Sequence, residues 1–222
     1  MKTKIFKLTS LNVNAFFIAL VFSMSSTSVI ADSSAKNLIK NPGAEASPGS
    51  VDGSVVKVKN WRPTGDFTAV KYGKPNTPYL VRSNPPIKGS GKNFFAGGPK
   101  NALSSAVQII NIASLAKTVD SESVIFRLSG FFGGWQWQND NAVLTAEFRN
   151  AAKQSISQVS IGGVQAAERK NITSLIFRKF KDVIPKGTRS IKLILTMMRT
   201  DGVYNDGYAE NLSLVLTKKS GS

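Results

Sequence analysis

The sequence predicts an all-β domain, an antiparallel β-sandwich with at most one short helix. Three observations predict it: apolar residues alternate with a period of two, turn residues punctuate those runs, and helical spacing occurs once. Residues 123–132 place Val124, Phe126, Leu128 and Phe132 on one face. Residues 142–149 set Leu144, Ala146 and Phe148 against Val143, Thr145 and Glu147. Residues 190–198 align Ile191, Leu193, Leu195 and Met197, and residues 211–217 align Leu212, Leu214 and Leu216. Shorter runs predict strands at 37–40, 54–58, 67–72, 93–96, 104–110, 155–161 and 173–181. Between them, Asn41-Pro42-Gly43, Asp52-Gly53, Gly97-Gly98-Pro99, Gly162-Gly163, Pro185-Lys186-Gly187 and Asn205-Asp206-Gly207 supply the fixed or positive φ angles that turns need. Only 112–118 has helical spacing, and 73–92, rich in Pro, Gly, Asn and Ser, predicts a long surface loop of the kind that carries function.

The first residues predict export. Lys2, Lys4 and Lys7 form a positive start, and residues 15–22 are an unbroken apolar run. That run is too short to span a bilayer, which takes about 20 apolar residues. Val29-Ile30-Ala31 then offers a peptidase site, so 1–31 reads as a cleaved signal and 32–222 as one β-sandwich domain that is secreted, by way of the periplasm. No later stretch is long enough to be a membrane span.

Composition narrows the chemistry. The chain has no Cys and no His. Stability therefore rests on apolar burial and backbone hydrogen bonds. Histidine- and cysteine-based catalysis is excluded, as are zinc sites built on those ligands. Carboxylate chemistry and hard-cation binding survive. Lys and Arg total 29 against 13 acids, for a net charge of +16, and +13 once the three signal lysines are removed. Such an excess favours anionic partners or serves solubility alone. With 21 lysines to 8 arginines, the charge is diffuse and gives no sign of specific nucleic-acid recognition.

Residues 37–45, Asn-Leu-Ile-Lys-Asn-Pro-Gly-Ala-Glu, resemble the "N-L-x-x-N-P-G-x-E" opening of bacterial extracellular galactose-binding-like jelly rolls, a fold that many carbohydrate-binding modules share. Residues 208–214, Tyr-Ala-Glu-Asn-Leu-Ser-Leu, resemble their closing strand, usually "A-D-N-L-S-L", and 185–190 are similar to the same group. The resemblance implies a jelly roll in which the first and last strands lie close together. It also implies a structural Ca²⁺ held by Glu45 and the acid at 210, although this chain has Glu210 where Asp is usual. The extra methylene moves that carboxylate by roughly 1.5 Å. Without a metal, the two acids would be ordinary turn and edge carboxylates.

Aromatic residues beside amides and acids suggest a sugar site, since flat rings stack on the C–H face of a sugar while polar groups meet its hydroxyls. Trp135, Trp137, Gln138, Asp140 and Asn141 fall within one Gly-rich segment, and Tyr204, Asn205, Asp206 and Tyr208 within another. In an extended segment Trp135 and Trp137 would point to the same side. Trp61 reads as a core residue and Tyr72 as an edge aromatic. Arg178-Lys179-Phe180-Lys181 interleaves cations with an aromatic, as polyanion binders do, or forms a solvated strand end.

The expected function is a secreted, non-catalytic carbohydrate-binding protein that recognises a neutral or anionic glycan on a cell surface or matrix. One alternative is a basic adhesin or effector that binds anionic polymers or a membrane surface. Another is a glycan-active enzyme that uses Asp140 and Asp206 as its carboxyl pair, which would need to stand about 5–9 Å apart.

Overall fold

A computed structural model describes residues 35–73, 80 and 90–219. The expected signal, and most of the expected loop at 73–92, lie outside the described residues. Among the described residues, ten strands build two antiparallel sheets of five. The back sheet has the order β1 (Arg62–Thr64), β4 (Leu103–Asn111), β9 (Ser190–Met198), β6 (Asn141–Arg149), β7 (Ser155–Gly162). The front sheet has the order β2 (Thr68–Lys71), β3 (Asn93–Gly98), β10 (Asn205–Lys218), β5 (Val124–Gly134), β8 (Ser174–Val183). This is the β-sandwich that the alternation predicts, consistent with the jelly roll that the resemblance implies. The only α-helix among the described residues is α1 (Ala116–Asp120), preceded by a single 3₁₀ turn.

The core lies between the sheets, where the alternating faces meet. Phe126, Leu128 and Phe132 of β5 pack with Leu144 and Phe148 of β6, the leucines of β9, and Leu212 and Leu214 of β10. Burying each of these side chains is worth about 1.5–3 kcal/mol. Trp61 joins this core and meets Phe95 edge-on at 5.7 Å, as its sequence context suggests.

Two expected strands are absent, for one physical reason. Around 37–40, Leu38 N–H donates to the Leu214 carbonyl, but the other bonds to β10 run through the Asn37 side chain. Around 54–58, the Thr68 hydroxyl donates to the Ser54 carbonyl and accepts from Val56 N–H. Side chains here replace the backbone ladder, so the chain is extended and anchored without being a strand. In the other direction, β10 begins at Asn205, inside the segment expected as a loop. A bulge between Glu210 and Ser213, with Asn211 at φ +50°, then resets its alternation.

Candidate functional site

The connections β5–β6, β7–β8 and β9–β10 meet at one end of the sandwich, and two buried charges hold them there. Asp140 is fully buried. Its Oδ1 accepts from Thr200 N–H at 2.6 Å, the Thr200 hydroxyl at 3.1 Å and Asp201 N–H at 3.0 Å, while Oδ2 accepts from Asp206 N–H at 2.9 Å. Arg169, only 2% exposed, ends a 3₁₀ turn (Ala167–Arg169) between β7 and β8. Its Nη1 donates to the carbonyls of Gly134, Gln136 and Ile172, and its Nη2 to that of Gln138. Burial holds the guanidinium pKa below its ordinary value, against the opposing pull of Tyr208, Asp140 and Asp206.

Above this frame, 135–138 forms a turn rather than an extended strand. Gln138 N–H donates to the Trp135 carbonyl at 3.0 Å, and Gln136 takes φ +34°. The two tryptophans therefore differ. Trp137 stands 62% exposed, whereas Trp135 is half-buried. Gly134 permits the construction, because a Cβ there would run into the carbonyls of Asp140 and Asp206.

The second expected segment is mostly structural. Asn205 is fully buried and donates from Nδ2 to the carbonyls of Asn101, Ala102 and Met197. Asn141 is buried and caps the Asn139 carbonyl. Tyr208 is buried too, and its hydroxyl donates to Asp206. Tyr204 is half-buried, its hydroxyl on the Gly53 carbonyl at 3.0 Å.

Asp206 is the unusual acid. Half-buried, it has a pKa raised to about 6, chiefly by desolvation and further by the nearby Asp140 charge; the Tyr208 hydrogen bond and Arg169 oppose the rise. Burial and that same carboxylate push the Tyr208 phenol up. Asp140 and Asp206 are adjacent, but Asp140 is saturated with donors and out of solvent. It cannot flank a bound sugar, which removes the expected carboxyl pair.

Sequence reasoning missed a second apolar cluster, on the outer face of the front sheet. Val70, Phe94, Tyr208, Leu175 and Leu80 are buried there, with Tyr72, Phe131 and Tyr204 packed against them. Rings follow one another across the sheet: Tyr72 to Phe94 at 5.1 Å, Phe94 to Tyr208 at 5.0 Å, then Phe131 to Phe177 at 5.1 Å. The legible signal was the unbroken Phe94-Phe95-Ala96 run, since a strand buried on both faces loses its alternation.

Glu45 and Glu210 are brought together by the segment 91–93. Glu45 Oε1 accepts from Lys92 and Asn93 N–H at 2.7 Å each, and Glu210 Oε1 from Gly91 N–H at 3.3 Å. Glu210 is fully buried and Glu45 exposed. The Asn93 side-chain oxygen, also buried, accepts no hydrogen bond. As hard oxygen donors these groups suit Ca²⁺, which takes six to eight oxygens. Among the described residues, however, no three acids cluster. Backbone carbonyls would have to complete any shell.

No protein family and no curated protein matches the sequence. Solved structures do. The Stig cyclase FisC from Fischerella sp. TAU aligns at TM-score 0.53 and 12% identity, covering 84% of this chain and 100% of that one. A family 16 carbohydrate-binding module aligns at 0.49 and 13%, covering 81% and 99%. The enzymatically active domain of tailspike protein 4 from bacteriophage CBA120 aligns at 0.49 and 13%, with 82% of this chain on 21% of that one; the chain spans about a fifth of its length. At such identities the likeness to the cyclase concerns the fold alone. No helix of the described residues is long and apolar enough to cross a membrane.

Proposed function

We propose that the chain is an exported, non-catalytic glycan-binding protein whose ligand lies on the loop end of the sandwich. One observation carries the reading: a tryptophan 62% exposed on a turn that is locked from beneath. A flat indole displayed on a rigid turn offers an apolar face on which the C–H face of a sugar can stack, with its N–H left for a polar partner. Arg169 and Asp140 fix the loop before any ligand arrives, so little ordering entropy opposes binding. In this reading Trp137 supplies the flat surface, and Trp135, Gln138, Tyr204 and Asp206 are the residues assigned to hydroxyl groups. Asp140, Asn141, Asn205 and Tyr208 form the frame beneath.

Trp137→Ala tests this directly. An exposed platform residue should leave the melting temperature within a few degrees and weaken glycan binding by about 1–3 kcal/mol, as stacking on an aromatic ring does elsewhere. A variant that melts far lower would make Trp137 a packing residue. One that binds a glycan array like the parent would move the site elsewhere.

The reading includes a structural Ca²⁺ at Glu45 and Glu210, where a bound cation would tie the start of the domain to β10. With calcium about 100-fold above its dissociation constant, the native state gains about 2.7 kcal/mol. Metal-free protein should therefore melt higher after calcium is added, and Glu45→Ala should abolish the response. Coincident melts with and without calcium would leave the two acids as amide acceptors only.

A further inference from the structure

The outer face of the front sheet carries a second surface, separate from the Trp137 turn. Along β5 and β8 the register places Arg127 opposite Lys181, Ser129 opposite Lys179 and Phe131 opposite Phe177. All six residues belong to the outward-facing set, because Phe126, Leu128 and Phe132 between them point into the core. Two basic rungs therefore precede an aromatic one. Successive rungs on one face of a strand lie about 6.6–7 Å apart. A groove of about 480 Å³ runs over the basic rungs, with Phe177 in its wall and no acidic side chain in its lining. Phe177 is 46% exposed and rests on Phe131. Arg127, Lys179 and Lys181 are all exposed.

Each feature has an ordinary explanation alone, but together they define a ligand. Edge strands such as β8 often carry lysines to discourage edge pairing, yet these lysines project from the face and leave the edge alone. Arg127 faces Lys181 across the strand pair, so their charges add to one positive surface of the kind that attracts an anion. The exposed Phe177 offers a ring for an apolar sugar face. We infer that this groove binds a linear acidic polysaccharide, its anionic groups between Arg127, Lys179 and Lys181 and one sugar ring against Phe177. A concave groove along two strands admits a single chain, whereas a flat bilayer would meet its rims.

Polygalacturonate, a linear chain of carboxylated sugars, is the probe, and its fully methyl-esterified form is the uncharged comparison. Binding is measured by calorimetry with chelator present, which separates it from any calcium effect. Lys179→Gln/Lys181→Gln should weaken polygalacturonate binding by on the order of tenfold at low salt, with the difference shrinking as salt screens the contacts. Lys57 and Lys71 are exposed beside β2, at the opposite edge of the same sheet. Lys57→Gln/Lys71→Gln removes the same charge and should change affinity by less than about twofold if the field is local. Trp137→Ala should bind polygalacturonate like the parent, so that failure of the glycan platform and failure of the groove remain distinguishable.

Equal losses in the two lysine pairs would overturn the groove in favour of diffuse charge. Binding of the methyl ester as tight as that of the acid would overturn the role of the cations. Binding to phosphatidylglycerol-containing vesicles with the same lysine dependence and greater strength would reassign the surface to a membrane. A loss in Trp137→Ala would place the anionic chain on the loop end.

Discussion

The loop end of the sandwich and the β5–β8 groove treat charge in opposite ways. At the loop end, Arg169 and Asp140 are withdrawn from water and surrounded by the backbone groups of three connections. In the groove, Arg127, Lys179 and Lys181 keep their hydration. A buried charge has to be satisfied by the protein itself, so it becomes part of the frame. An exposed charge remains accessible to a ligand in solution. The lesson concerns aspartates as much as cations. Asp140 and Asp206 sit in sequence contexts that look alike, yet Asp140 is wholly buried while Asp206 lies between the two regimes.

The hardest way to break the comparison is to remove the buried cation. Arg169→Met keeps most of the side-chain volume but leaves the carbonyls of Gly134, Gln136, Gln138 and Ile172 without their donor. Breaking a buried charged network costs about 3–5 kcal/mol. Chemical denaturation should show a loss of that size, and glycan binding should fall with it as the turn under Trp137 loosens. A loss below about 1 kcal/mol, typical of a surface site, would mean that water replaces the guanidinium and the frame is not built on it.

How much of this was legible in the sequence depends on where hydrogen bonds go. The strands with a clean alternation, β5, β6 and β9, were readable because one face meets the core and the other meets water or a polar partner. The segments 37–40 and 54–58 read as strands but are not, because Asn37 and Thr68 make the pairing bonds with their side chains. Trp137 was legible as an exposed ring among Gly, Gln and Asn. The functions of Asp140 and Asn205 were not, since a carboxylate or amide in a Gly-rich loop can reach out to a ligand or back to backbone groups distant in sequence. Arg169 left no local signal at all. Its four carbonyl partners come from the end of β5, the β5–β6 connection and its own β7–β8 connection, and only the folded end brings them together. The charge on β8 was visible as Arg178-Lys179-Phe180-Lys181, but strand alternation divides that cluster. Lys179 and Lys181 face outward, while Arg178 turns to pair with Glu168 and Phe180 turns toward Phe126.

A gentler test uses pH on the acid that lies between the two regimes. Asp206 has a folded pKa of about 6 against an ordinary value of 3.8. The native state thus binds a proton more tightly than the unfolded chain between those values. Stability must then fall as pH rises from about 4 to about 7, by at most about 2–3 kcal/mol at 1.36 kcal/mol per unit. The other shifted acids run the opposite way in a different window. Asp52, held at about 2 by Ser54 and Ser50, and Asp120, lowered by Arg189, lose their favourable contacts only as pH falls below about 4. The slope between pH 4 and 7 therefore belongs to Asp206. Asp206→Asn should flatten that slope and raise stability at pH 7, because the amide occupies the site without a charge to desolvate. If wild type and Asp206→Asn show parallel stability across pH 4–7, the carboxylate is solvated well enough to ionise freely, and Asp206 belongs with the exposed charges instead of between the two regimes.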